Sequence, residues 1–145
     1  MNLDAQVEFQ QVGALLDGTL VGTVDGELVR RLVNVDWIGG GHGYAYRGKE
    51  PTAPHKAIPL DRIWLERMPE AATGIIAVHE LVEYCLMRYA GWEYERAHHF
   101  ANSCEAVERA LRAGRPVGEN ILEAAVARWA PALAPAPWAG QGGTP

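Results

Sequence analysis

The chain has 145 residues, 48% of them hydrophobic, and a formal net charge of −5. That length suits one domain with a sizeable core, and an acidic balance with no clustered Lys/Arg stripe excludes a nucleic-acid binder. No apolar run reaches a membrane span, MNLDAQVEFQQ lacks a secretory pattern, and two cysteines make no disulfide framework, so a cytoplasmic protein with no membrane partner is expected.

Residues 18–66 read as β-rich. In GTLVGTVDGELVRRLVNV, Asp25-Gly26 between two β-prone runs predicts a type I′ hairpin. In WIGGGHGYAYRG the glycines predict a bulge or tight bend before an alternating strand carrying Tyr44 and Tyr46. After the polar, proline-marked loop KEPTAPHKA, IPLDRIWLER predicts another short strand. Residues 70–133 predict three helices: the first closed by Gly91, the second by GRPVG, and the third formed by ENILEAAVARWAPAL. The tail, residues 134–145, is Pro/Gly-rich and expected to be disordered. The expected architecture is a single α+β domain over residues 1–133, with a small antiparallel sheet followed by an antiparallel helical hairpin and a third helix.

The chemistry concentrates in AVHELVEYCLMRYAGWEYERAHHFANSCEAVER, residues 77–109. At about 100° per residue, Glu83 lies about 40° from His79 on the first helix, and Glu80 about 100° away. On the second helix Glu105 lies about 20° to one side of His98 and Asn102 about 40° to the other, with Tyr94 near the same face, while His99 falls about 100° off it. The spacing therefore selects His98 over His99. A short turn at Gly91-Trp92 predicts antiparallel packing, which brings Glu83 level with His98 and His79 level with Glu105. His79, Glu83, His98 and Glu105 form a candidate set of divalent-metal ligands, and a His/carboxylate inventory suits zinc.

Simpler readings compete. Glu83 is placed to pair with Arg88 or Arg96, and Glu105 with Arg109 at i, i+4. A metal-free buried His/Glu network is the other alternative. Against both, the first helix is apolar almost all round (Val78, Leu81, Val82, Cys85, Leu86, Met87), so it is expected to be buried. Burying several ionisable groups without compensation costs several kcal/mol, and one cation compensates them together. The second helix carries a further apolar stripe, Phe100, Cys104, Val107 and Leu111, which requires a second buried side. Cys85 and Cys104 are offset by about 9 Å along an antiparallel hairpin, too far for an easy disulfide; they read as core thiols, with Cys104 a minor candidate ligand. Ser103 has no base within reach, and GGGHG reads as a bend near the site, with His42 a polar contributor.

His79-Glu80-x-x-Glu83 differs by one residue from the His-Glu-x-x-His helix signature of zinc peptidases, in which the Glu beside the first His activates water. The wider pattern is Ile63-Trp64-Leu65, His79-Glu80-Leu81-Val82-Glu83 with Leu86-Met87, Gly91, Tyr94, Ala97-His98, Ala101 and Glu105, with Gly39-Gly40-Gly41-His42 and Ile58-Pro59 upstream. It resembles an uncharacterised family of small bacterial and phage-associated proteins, over roughly residues 20 to 110. KEPTAPHKA and the Pro-rich tail depart from that family. The resemblance implies a metal site at these residues and carries no established activity.

Two functions follow. One is a zinc-dependent hydrolase, peptidase-like, with His79, Glu83 and His98 as ligands and Glu80 as the catalytic general base. Its substrate would be a peptide or small amide, lying along the IWLE strand as a sheet edge. The other is a non-catalytic domain whose metal or polar network fixes the hairpin for assembly or regulation. Glu105 as a fourth ligand closes the site and favours the second function; Glu105 behind a histidine leaves it open.

Overall fold

The architecture is α+β, seen in a computed structural model that describes residues 2–46 and 57–113. After a one-turn helix α1 (Leu3–Gln6), β1 (Gln10–Ala14) and β2 (Leu20–Val24) form an antiparallel hairpin. Its turn is Asp17-Gly18, not Asp25-Gly26. Gly18 takes a left-handed φ of 89°, which costs glycine nothing, and Asp17 Oδ1 accepts from the Thr19 amide at 2.8 Å.

Asp25 does something else. Its carboxylate accepts from the amides of Glu27 and Leu28 and caps helix α2 (Gly26–Leu32). Asp-Gly serves both a I′ turn and a helix start. ELVRRLV is compatible with the helix, its first turn acidic at Glu27 and its last basic at Arg30 and Arg31, matching the helix dipole.

The glycine-rich segment folds as a three-residue strand, β3 (Gly40–His42), running straight into a one-turn helix, α3 (Gly43–Tyr46). Tyr44 and Tyr46 are therefore helical, correcting the strand expectation. Gly39 and Gly41 hold positive φ of 70° and 138°, forming the bend that the glycines predict.

Strand β4 (Arg62–Glu66) completes a four-stranded sheet in the order β1-β2-β4-β3. The sheet is mixed rather than antiparallel: β4 runs parallel to β2 and antiparallel to β3. A parallel pair needs a long crossover, and the chain from α2 through α3 supplies it. Ile63-Trp64-Leu65 is thus an interior strand, paired on both sides and wholly buried, and offers no edge to a peptide. Ile63 and Leu65 pack with Val21 under a long helix, while Trp64 points to the opposite face, against Val7, Val24, Val29 and Trp37.

That long helix is α4 (Glu70–Arg88), and α5 (Tyr94–Arg112) returns beside it. Gly91 sits between them with φ of 71°, and the Trp92 amide bonds back to the Leu86 carbonyl at 3.0 Å. Ala77, Leu81, Tyr84 and Cys85 of α4 face the sheet, and Val78 and Val82 face Ala101 of α5. The small side chains Ala97 and Ala101 let the two helices approach closely. The rest of the α5 apolar stripe stays exposed: Phe100, Val107 and Leu111 are 46%, 51% and 53% accessible, and only Cys104 packs inward. The expected second buried side is therefore not formed among the described residues. The GRPVG turn, the third helix and the 134–145 tail lie outside the described residues. No helix is long and apolar enough to cross a membrane among those described.

Candidate metal centre

Helix α4 presents three faces. One is apolar toward the sheet, one apolar toward α5, and between them runs a sector holding His79, Glu83 and Glu80. This sector meets α5 on one flank and the β3–α3 corner on the other. All three side chains are buried there, Glu83 to within 2%. Groups so costly to bury need partners, and each neighbouring element supplies one.

Across the hairpin, Glu83 Oε2 lies 2.8 Å from His98 Nδ1 and 3.1 Å from His79 Nε2, and the two imidazole nitrogens are 3.1 Å apart. Two ring nitrogens and one carboxylate oxygen thus converge on a single point. Donors bonded to one ion at about 2.0–2.2 Å, at angles between a right angle and tetrahedral, stand about 2.8–3.6 Å apart. The observed triangle sits at the tight end of that range, so these His and Glu groups, two of them buried, are close enough to hold a metal ion.

Glu105 does not join the triangle. Its Oε1 lies 3.2 Å from Nδ1 of His79, the nitrogen facing away from the convergence point. The contact is within ion-pair distance but not aligned as a hydrogen bond, which leaves Nδ1 without a bonded partner. Arg109 holds the other Glu105 oxygen at 3.0 Å. A carboxylate placed behind a histidine in this way is positioned to orient the ring once the contact closes to a hydrogen bond. Tyr94 stacks on His98 with ring centroids 5.3 Å apart, its hydroxyl 3.5 Å from Nδ1. His98 is 40% exposed at its side chain, so the centre opens to solvent on the α5 flank.

Glu80 lies on the other flank. Its carboxylate packs over Gly40, where a Cβ would fall 2.7 Å from Oε1. Its Oε2 is buried with no hydrogen-bond partner, and one of its oxygens lies within 4.8 Å of both Glu83 and His42 donor atoms. His42 is fully buried, with Nε2 3.5 Å from Glu83 Oε1.

These contacts set the protonation states. Burial would raise the Glu83 pKa, but contacts with His42, His79 and His98 outweigh it and lower it to about 2. Burial would lower that of His79, but the Glu83 hydrogen bond and the charges of Glu80, Glu83 and Glu105 raise it to about 9. Burial, reinforced by Glu83, pushes the Glu80 carboxyl well above the ordinary carboxylate range. Burial likewise holds the His42 imidazole below its usual value.

His79, Glu83 and His98, which helical spacing and hairpin register predict to meet, do come together, and His99 is exposed. The expected Glu105–Arg109 pair is present. Glu83 finds histidines rather than Arg88 or Arg96; Arg88 instead pairs with Asp17 and Arg96 lies over Trp92. Cys85 and Cys104 are free thiols, and Cys104 is outside the ligand triangle. The contribution of Gly40 was not foreseen, although three consecutive glycines beside a histidine were the visible signal. Comparison with family models, curated proteins and solved structures finds no match.

Proposed function

We propose that the protein is a metal-dependent hydrolase acting on amide bonds, peptidase-like, with zinc as its ion. The observation that carries this reading is the division of labour among the acidic residues. Glu83 joins two imidazole nitrogens at one point, Glu105 stands behind His79, and Glu80 is left adjacent with its buried Oε2 free of hydrogen bonds among the described residues. A set of two His and one carboxylate, with no fourth protein ligand among the described residues, matches the inventory of catalytic zinc sites.

When bound, the cation supplies Lewis acidity to a carbonyl and to water. The remaining work falls to the chain. His79, Glu83 and His98 hold the ion, and Glu105 with Arg109 keeps the His79 ring in place. Glu80, whose carboxyl burial and the charge of Glu83 push well above the ordinary carboxylate range, accepts in its ionised form a proton from the attacking water and passes it to the leaving amine. The resemblance of His79-Glu80-x-x-Glu83 to the zinc-peptidase helix signature supports the same assignment.

The decisive experiment is a screen of peptide, amide and ester substrates with the zinc-loaded native protein, followed by Glu80→Gln. The substitution preserves shape and removes the base. Zinc content and melting temperature are expected to hold while hydrolysis falls by about 10²–10⁴-fold. A Glu80→Gln protein that loses zinc or melts early, from a parent without activity, would instead establish a structural metal.

A further inference from the structure

We infer that His42 is a positioning residue for this centre, one that aims Glu83 at the ion as a hydrogen-bond donor and is not itself a ligand. The inference rests on the metal reading above and concerns a residue from a different part of the chain, the β3–α3 corner.

The backbone decides the tautomer. The amide of Ala45 donates to His42 Nδ1 at 3.1 Å. An N–H can donate only to a lone pair, so Nδ1 carries no proton, and the neutral ring has its single proton on Nε2. That Nε2–H is fully buried and has no close hydrogen-bond partner among the described residues. Oε1 of Glu83 lies 3.5 Å from it, and a Glu80 oxygen lies within the same cluster. The ring cannot turn aside. His42 ends β3, where it pairs with Ile63, and its ring meets Tyr84 edge-on at 5.3 Å.

Two consequences follow. A donor on Oε1 leaves Oε2 to face His79 and His98, which makes Glu83 a one-oxygen ligand of fixed orientation. The second acidic cluster, His42 with Glu80 and Glu83, also fails as a cation site. Metal on Nε2 would require removing its proton while Nδ1 still accepts from Ala45, which leaves an imidazolate. The described residues should therefore hold one ion, with two imidazoles around it.

The test uses the full chain, titrated with zinc against a chromophoric chelator, beside His42→Leu and His42→Gln. The glutamine amide keeps a donor near the Nε2 position; leucine does not. Zinc affinity is expected to fall by about 10–100-fold in His42→Leu and to return to within a few-fold of the parent in His42→Gln. Two measurements on the native chain avoid dependence on variant folding. Histidine ¹⁵N shifts should report the Nε2–H tautomer for His42, and X-ray absorption should count two imidazoles with one zinc per chain. A third imidazole, a second tightly held zinc, an Nδ1–H tautomer, or unchanged affinity in His42→Leu would each overturn the positioning role. Failure of the native chain to bind zinc would overturn the metal centre itself and this role with it.

Discussion

Glu83 on α4 and His98 on α5, separated by 15 residues in sequence, meet at 2.8 Å across the helical hairpin. The contact joins a wholly buried carboxylate to a half-exposed imidazole, so one end of the pair is insulated and the other reaches solvent. Such a gradient suits a site that must hold charge and still admit a ligand. In the metal-free protein the same atoms form a proton-sharing network, which makes metal and proton competitors for the same lone pairs.

Ligand identity can be tested by substitution. His79→Ala, Glu83→Ala and His98→Ala should each abolish stoichiometric zinc binding, read by metal analysis after dialysis against a weak chelator. His99→Ala, at an exposed position on the same helix, should leave it intact. Equal loss from His99→Ala would place the centre on the wrong face of α5.

Glu105 should behave differently from the three ligands. Because it stands behind His79, Glu105→Gln is expected to weaken zinc by about 10–100-fold without abolishing it. Complete loss in that variant would make Glu105 a direct ligand and the site closed.

Zinc affinity should rise with pH. His79, with its pKa raised to about 9, carries a proton at neutral pH that must leave before Nε2 can bind a cation. The apparent dissociation constant should therefore fall about tenfold per pH unit between 7 and 9 and level off above. Calorimetry in buffers of different ionisation enthalpy should record about one proton released per zinc at pH 7.

The metal-free protein should show the opposite trend in stability. A histidine raised from 6.5 to about 9 contributes fully below 6.5, and that contribution is lost as pH climbs through 9. The loss is on the order of 3 kcal/mol, seen as a falling melting temperature between those limits. Glu83, lowered to about 2, keeps its contribution above its ordinary value near 4.5 and loses it only as the pH drops toward 2. A metal-free melting temperature that is flat from pH 6.5 to 9 would contradict the His79–Glu83 coupling.

Gly40→Ala probes the floor of the site. Its Cβ would press on the Glu80 carboxylate, and burial leaves Glu80 little room to yield. Hydrolysis should fall well before zinc content does; the reverse order would mean that Glu80 has no place in the chemistry.

Periodicity determined a good deal by itself. The near-continuous apolar circumference of residues 77–90 implied a buried helix, the left-handed Gly91 marked where it turns, and the 100° step selected His79, Glu83 and His98 while rejecting His99. These are local properties, carried by bond geometry and side-chain spacing. Other choices were not local. Asp25-Gly26 satisfies the rules of a hairpin turn and of a helix cap equally well, and the competition ended only when β1 paired with β2 and Asp17-Gly18 took the turn. The parallel pairing of β2 with β4 depends on a crossover whose direction no strand records in its own residues. It is that crossover which carries β3 to the sheet edge beside α4, lays Gly40 against Glu80 and points His42 at Glu83. Helical period places ligands on one helix or on two joined by a short turn; contact between residues 42 and 83 requires the whole sheet to close between them, and only the tertiary structure supplies it.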